Sequence, residues 1–285
     1  MKTRATIRPD AAPAGRGVPS PPGMGLDLGG ILCTPLWGGR LRLTLSLGRK
    51  LWIPLTMRPL LVRTPGGTGL LDAAVGDLDA LRWNKFAVEP PDPPLEEQIQ
   101  GLGVSPEEVD FVFLSHLHFD HAGGVLLEGR PRFPRAEILV QREEWREGLE
   151  TGRAGGLAER IRQAYSERRI RLLEGEEELS PGLQVLHTPG HTGGLMVLRL
   201  RGSREEGWFT SDLLPVARSF LLQRDAHSDE EPDLALFFRR EVADEMARRG
   251  SLAFLYHDPR SWVARILGRG GKRSGLAGIA CLGRA

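Results

Sequence analysis

Cysteine is nearly absent from this chain: Cys33 and Cys281 are its only two in 285 residues, and they stand far apart. Two distant thiols build neither a disulfide framework nor a zinc knuckle. Cysteine is therefore left out of any central metal site, and the composition fits a reducing, cytoplasmic setting. No run of about eighteen apolar residues occurs, so no segment reads as a membrane span. A dominant charge is missing too. The formal net charge is +1, which selects neither nucleic acid nor a membrane surface as a partner. Tyrosine is scarce, with Tyr165 and Tyr256 alone. No internal repeat and no internal linker divides the chain.

Residues 1–23 are rich in Pro, Ala and Gly and lack the apolar core of a secretory signal, so they read as a flexible arm. Residues 268–285 are glycine-rich with scattered Arg and Lys, and read as a flexible basic tail. Between them, 24–267 is long enough to bury a full core as one domain.

Short apolar runs at 58–63 and 69–73 flank Thr-Pro-Gly-Gly-Thr, the pattern of a β-hairpin. Leu95, Ile99 and Leu102 have helical spacing and end on Gly103. Ser105-Pro106 has the form of an N-cap followed by proline at the first helical position. Val109–Leu114, Ile138–Val140, Leu183–Leu186, Leu195–Leu200, Trp208–Thr210 and Leu252–Tyr256 read as strands. Arg142–Leu149, Leu157–Glu167 and Leu234–Arg249 read as helices, with Gly152–Gly156 between the first two and an apolar face through Leu236 and Phe237 on the third. Interleaved strands and helices make this an α/β chain.

What the chain does hold is an ordered series of metal-binding side chains. His116, His118, Asp120 and His121 lie within Ser-His-Leu-His-Phe-Asp-His. His191 follows in Thr-Pro-Gly-His-Thr, Asp212 in Thr-Ser-Asp-Leu-Leu and His257 in Leu-Tyr-His-Asp-Pro. Five of the seven histidines belong to this set. His116 and His118 close an apolar strand, and residues two apart in extended backbone point to one side, so both imidazoles can face one ion. Asp120 and His121 follow as the chain turns, aimed at a neighbouring point. Two ions would use all seven groups. Imidazole with carboxylate suits Zn(II), and Fe or Mn also fit such a donor set.

Ser-His-Leu-His-Phe-Asp-His-Ala-Gly-Gly, with Leu71-Asp72, Thr188-Pro189-Gly190-His191-Thr192 and Ser211-Asp212, resembles the signature of the metallo-β-lactamase superfamily. The resemblance implies an αβ/βα four-layer sandwich with two divalent metal ions at one edge. Position by position, it implies His116, His118 and His191 on the first ion, Asp120, His121 and His257 on the second, and Asp212 between them. Leu95-Glu-Glu-Gln, Asp212-Leu-Leu-Pro and Tyr256-His257-Asp258 are similar to the N-acyl-homoserine lactonase branch, and methyl-parathion-type phosphotriesterases share much of the pattern. The activity implied is hydrolysis of a small ester or lactone by a metal-bridging hydroxide, with Asp120 carrying a proton to the leaving oxygen and Asp212 as the bridge. Phosphotriester or phosphodiester hydrolysis is the alternative, and a homodimer is the assembly that relatives imply. No nucleic acid or membrane partner is expected.

Two departures from the family pattern stand out. Asp72-Ala73-Ala74 replaces Asp-Thr-Gly, and Pro215 stands where some lactonases place a tyrosine. Asp72 remains able to orient a ligand histidine. His187 is expected near the site rather than as a ligand, His227 in a solvated loop, and Asp258 as a candidate to orient a neighbouring histidine. Trp37, Trp52, Trp83 and Phe86 suit either the core or the wall of an acyl pocket. Ser115 has no His–Asp pair left to activate it, so it does not read as a nucleophile.

Overall fold

The structure is a computed structural model, and it describes residues 25–46, 50–76, 86–222, 226, 228–268 and 276–284. The strands of the N-terminal half are β1 (Leu26–Asp27), β2 (Leu32–Pro35), β3 (Arg40–Ser46), β4 (Lys50–Thr56), β5 (Leu60–Thr64) and β6 (Gly67–Leu71). They continue with β7 (Phe86–Glu89), β8 (Phe111–Phe113), β9 (Leu126–Leu127), β10 (Arg130–Pro131), β11 (Glu137–Gln141) and β12 (Ile170–Leu173). The C-terminal half adds β13 (Glu177–Ser180), β14 (Leu183–His187), β15 (Met196–Arg201) and β16 (Glu206–Phe209). It ends with β17 (Leu252–Phe254), β18 (Ser261–Gly268) and β19 (Leu276–Arg284). The helices are α1 (Leu95–Gly101), α2 (Phe119–Ala122), α3 (Arg142–Thr151), α4 (Arg153–Ala164), α5 (Ala217–Leu222) and α6 (Pro232–Arg249).

Two seven-stranded sheets dominate, one ordered β1-β2-β5-β6-β8-β11-β12 and the other β13-β14-β15-β16-β17-β18-β19. The alternation of side chains along the second sheet shows how they pack. Met196, Leu198 and Leu200 of β15 join the core shared with Leu61, Leu70, Val112 and Ile138 of the first sheet. Val197 points the other way, with Trp208, Ala253 and Ile266, onto Val242, Ala243 and Met246 of α6. Trp145 of α3 and Leu157 and Ile161 of α4 cover the first sheet. The order helix, sheet, sheet, helix is the αβ/βα sandwich.

The hairpin expected around residues 64–68 forms, with Arg63 opposite Thr68 and Thr64 opposite Gly67. α6 ends at Gly250, whose φ of 65° is the left-handed cap that glycine adopts without strain. Its buried stripe is Ala235, Arg239, Val242, Ala243 and Met246, while Phe237, expected on the apolar face, is exposed. α4 begins at Arg153, immediately after Gly152, so the glycine-rich stretch is not a linker. Part of the expected basic tail is strand: β19 pairs antiparallel along β18, whose edge supplies the hydrogen-bond partners that a glycine-rich segment cannot find alone. The three-stranded sheet β4-β3-β7 had no counterpart in the sequence reading. His227 and Trp83, and the side chains of Trp52 and Phe86, lie outside the described residues. No helix among the described residues is long and apolar enough to cross a membrane.

The topology gathers chemistry at one edge. β6 and β8 are parallel, so Asp72 and Ser115 leave neighbouring strands at the same end. β16 and β17 are parallel through the α6 crossover, which brings Asp212 and His257 to one end as well. The amide of Met196 donates to the carbonyl of Ser115 at 2.9 Å, tying the two sheets together there.

Candidate metal centre

Each of the seven side chains owes its place to a local break in regular structure. His116 follows the end of β8, and His118 takes the extended N-cap position of α2 (φ −66°, ψ 147°), so the two flank buried Leu117. The single turn of α2 then swings Asp120 and His121 inward. Gly124 lets this turn lie against the strand end beside it, since a β-carbon there would sit 1.8 Å from the carbonyl oxygen of Ala73. Three non-glycine residues around the centre have left-handed backbones: Asp72 (φ 51°), Ala74 (φ 58°) and Ser211 (φ 44°). Ala74 thus adopts the conformation for which the family motif has glycine, a strained position of the kind that concentrates at functional sites.

The structure brings all seven expected side chains together, in two groups. His116, His118, His191 and Asp212 have donor atoms within 4.8 Å of one another, as do Asp120, His121 and His257. In the first group Nδ1 of His118 lies 2.9 Å from Nε2 of His116 and 3.3 Å from Nε2 of His191. Asp212 Oδ2 lies 3.2 Å from Nε2 of His191. In the second, Nε2 of His121 and of His257 are 3.1 Å apart. Asp120 Oδ2 lies 3.8 Å from the former and 3.6 Å from the latter. Asp212 turns its other oxygen, Oδ1, toward this group, 3.2 Å from His121 and 3.1 Å from His257. One carboxylate therefore faces both groups.

These contacts fit a metal shell better than a hydrogen-bond network. Asp212 Oδ1 is buried and close to two imidazole nitrogens, yet is aligned for a hydrogen bond with neither. For ions about 2.0–2.1 Å from each donor, a tetrahedral edge is about 3.3 Å, and the donor spacings here, from 2.9 to 4.0 Å, lie around that value. The outer nitrogens agree. His257 Nδ1 lies 2.7 Å from the carbonyl of Thr56, which can only accept, so that nitrogen carries the proton and Nε2 offers its lone pair inward. His121 Nδ1 meets Asp72 Oδ2 at 2.7 Å, and His191 Nδ1 meets Asp229 Oδ1 at 3.1 Å. His116 Nδ1 meets Ser115 Oγ at 3.0 Å.

Ser115 is part of that outer layer and not a nucleophile. Its amide and hydroxyl both donate to Asp72 at 2.8 Å. His187 is likewise no ligand; its Nε2 bonds the carbonyl of Gly193 at 2.9 Å and pins the loop that carries His191. Asp258 departs from expectation. Its carboxylate accepts the amides of Ala217, Arg260 and Ser261, so its role is to cap loop backbone, with no histidine among those partners. Trp37 is half-buried, tied to α1 through Gln98 and covered by the guanidinium of Arg40 at 5.3 Å.

Charge in the cluster is strongly redistributed. Burial, reinforced by the neighbouring imidazoles, holds His116 well below the ordinary histidine pKa. Burial would also depress His121, but the carboxylates of Asp212, Asp120 and Asp72 outweigh it and push this histidine well up. His191 is raised to about 9 because Asp212 and Asp229 overcome the same burial penalty. Burial would raise Asp212, yet the imidazoles of His121 and His257 hold it well below the carboxylate range. The cluster is an anionic pocket that attracts protons, and a divalent cation competes for the same positions.

Sequence reasoning missed Asp229, Arg239 and Glu144. Asp229 accepts both terminal nitrogens of Arg239, at 2.5 and 2.8 Å. Glu144, buried on α3, accepts the amide of Leu117 at 2.9 Å and that of Gly194 at 3.2 Å, clasping two ligand-bearing loops. A signal existed for Arg239: it lies four residues after Ala235 and three before Val242, an arginine on the apolar stripe of its helix. Asp229 sits in an Asp-Glu-Glu run that reads as a solvated loop, and nothing local marks it.

Residues 60–238 match the sequence profile described as metallo-beta-lactamase superfamily. An N-acyl homoserine lactonase of Bacillus thuringiensis is 28% identical over 172 residues, covering 56% of this chain and 60% of that protein. N-acyl homoserine lactonase AiiB of Agrobacterium fabrum is 31% identical over 134 residues, 40% of this chain and 43% of that protein. The chain thus spans less than two thirds of the length of these curated relatives. Among solved structures, a "probable metal-dependent hydrolase" from Staphylococcus aureus superposes with a TM-score of 0.76 at 18% identity, covering 90% of this chain and 99% of that one. AidC, a dizinc quorum-quenching lactonase in complex with a product, N-hexnoyl-L-homoserine, gives 0.71 at 18% identity, covering 92% and 97%. At such identities the superpositions show a shared fold.

Proposed function

The chain belongs to the metallo-beta-lactamase superfamily, and on that premise we propose that it is a hydrolase opening a lactone or ester bond of a small molecule at a centre of two divalent ions, Zn(II) first among them. The observation that carries this reading is the position of Asp212, with one oxygen 3.2 Å from His191 and the other 3.1 Å from His257. His116, His118 and His191 would hold one ion, Asp120, His121 and His257 the other, and Asp212 both. Ions bound there would supply Lewis acidity, which lowers the pKa of water from about 15.7 toward about 7 and polarises a carbonyl oxygen.

The chain's own residues supply order and proton handling. Asp72, Asp229 and the carbonyl of Thr56 fix three imidazoles in the tautomer that points Nε2 inward. Asp120 and Asp212 are the two carboxylates of the cluster, with side chains 11% and 14% exposed against 0% for His121, and among the imidazoles His118 is also part-exposed. Asp120 is therefore placed to take a proton on its carboxylate and pass it to a leaving oxygen. The hydroxyl of Tyr256 donates to the carbonyl of Asp120 at 2.6 Å and holds that residue in place.

Lactone opening is favoured by the relatives named N-acyl homoserine lactonase. Phosphotriester hydrolysis is the second reading, and one observation favours it. Pro215 replaces the tyrosine that could polarise a lactone carbonyl, and both tyrosines of the chain bond elsewhere, Tyr256 to Asp120 and Tyr165 to the carbonyl of Val125 at 3.0 Å. Zinc-loaded protein should open N-acyl-homoserine lactones with proton release, and Asp212→Ala should abolish it. Hydrolysis of phosphotriesters alone would establish the second reading, and no hydrolysis of either class with two ions bound would refute both.

A further inference from the structure

α6 does more than cover a sheet. Arg239 sits on its buried stripe, and its side chain is 3% exposed while that of Asp229 is 0% exposed. The guanidinium grips Asp229 with both terminal nitrogens and donates from Nε to the carbonyl of Leu213 at 2.7 Å. Its Nη2 also reaches the carbonyl of Asp212 at 3.5 Å. Asp229 in turn accepts from Nδ1 of His191 and from the amide of Ala226, the latter at 2.6 Å. The backbone repeats the connection. The amides of Glu230 and Glu231 donate to the carbonyls of His191 and Gly190, at 3.3 and 2.8 Å. Gly190 lies so close to the first turn of α6 that a β-carbon there would stand 2.3 Å from the amide nitrogen of Ala235.

A buried ion pair contributes little net stability, because desolvation of two charges offsets their attraction. Stability alone therefore does not account for a guanidinium whose donors converge on two segments that both carry candidate ligands. We propose that Arg239, acting through Asp229, is a positioning residue that sets His191 and Asp212 relative to each other, so that the first group presents its donors at metal distance before an ion arrives. This rests on the two-ion reading above. Arginine suits the task since its fork engages a carboxylate at two points while Nε remains for a carbonyl. Lysine offers one point charge and cannot hold both segments.

The test is zinc affinity of the full chain, measured by competition with a chromophoric chelator, alongside thermal unfolding of the metal-free protein. Asp229→Asn combined with Arg239→Met removes both charges together, leaving neither stranded in the interior. The expected result is binding weakened 10- to 100-fold at one of two ions, the range typical when an outer partner of a ligand is lost. Arg239→Lys should fall in the same range, and cobalt(II) absorption should change in both variants. Two zinc ions bound by the double variant within twofold of wild type would overturn the proposal while leaving the metal reading intact. A wild-type chain that binds no zinc would instead overturn the metal reading, and this one with it. If neither variant folds, the zinc-loaded wild type decides: the Nδ1 proton of His191 should exchange slowly with solvent in nitrogen-edited spectra, and fast exchange would refute its bond to Asp229.

Discussion

Tyr256 stacks on His121, with ring centroids 4.3 Å apart and planes inclined by 23°, while its hydroxyl donates to the carbonyl of Asp120. One buried side chain thus braces two neighbouring members of the second donor group. Burial and the carboxylates of Asp72, Asp120 and Asp212 push its phenol pKa well up, which keeps it a donor. Tyr256→Phe retains the stack and removes only the hydroxyl. Leaving a buried carbonyl without its donor costs about 1–3 kcal/mol, and denaturant unfolding of the metal-free variant should show that loss. Unchanged stability together with unchanged zinc affinity would show that the bond does not brace the site.

Glu144 makes the corresponding prediction on the opposite side. Glu144→Gln is isosteric but turns one of its two acceptors into a donor, so either Leu117 or Gly194 loses its partner. About 1–3 kcal/mol of stability should disappear, with weaker zinc binding because His116, His118 and His191 sit on the loops so joined. Calorimetric unfolding with and without zinc separates the two effects.

Protonation of His191 sets opposite pH trends for folding and for metal binding. Its pKa of about 9 in the fold exceeds the ordinary 6.5, so its contribution to metal-free stability is complete below 6.5 and is lost as pH rises through about 9. Asp229, held to about 2 despite burial by Arg239 and His191, contributes above its ordinary 3.8 and loses that contribution as pH falls through about 2. An ion must displace the His191 proton, so zinc affinity should rise on the order of tenfold per pH unit between those two histidine values. Parallel thermal scans and zinc titrations from pH 6.5 to 9 test this, and a pH-independent affinity would contradict it.

The candidate ligands were legible because four of them crowd into His116–His121 and the others each follow a short apolar strand. Their supports were legible only in part. Asp72 was expected to orient a ligand histidine, and it meets His121, but Asp229, Arg239 and Glu144 were not foreseen. His191 and Asp229 are 38 residues apart in sequence, and His121 and Asp72 are 49 apart, so each pairing exists only after the sheets have assembled. The same limit applies to the fold. β14 to β17 announce themselves by apolar runs, whereas β19 owes its form to the free edge of β18. Arg239 marks the boundary between the two cases: its spacing from Ala235 and Val242 was a signal that went unread, and nothing in sequence named its partner.

Zinc stoichiometry of the wild-type chain and of Asp212→Ala, measured by elemental analysis after dialysis, addresses the central claim most directly. Two ions per wild-type chain are expected, with fewer in the variant and hydrolysis lost. A wild-type chain that holds at most one ion, or a variant that keeps two ions with full turnover, would contradict a centre organised around Asp212.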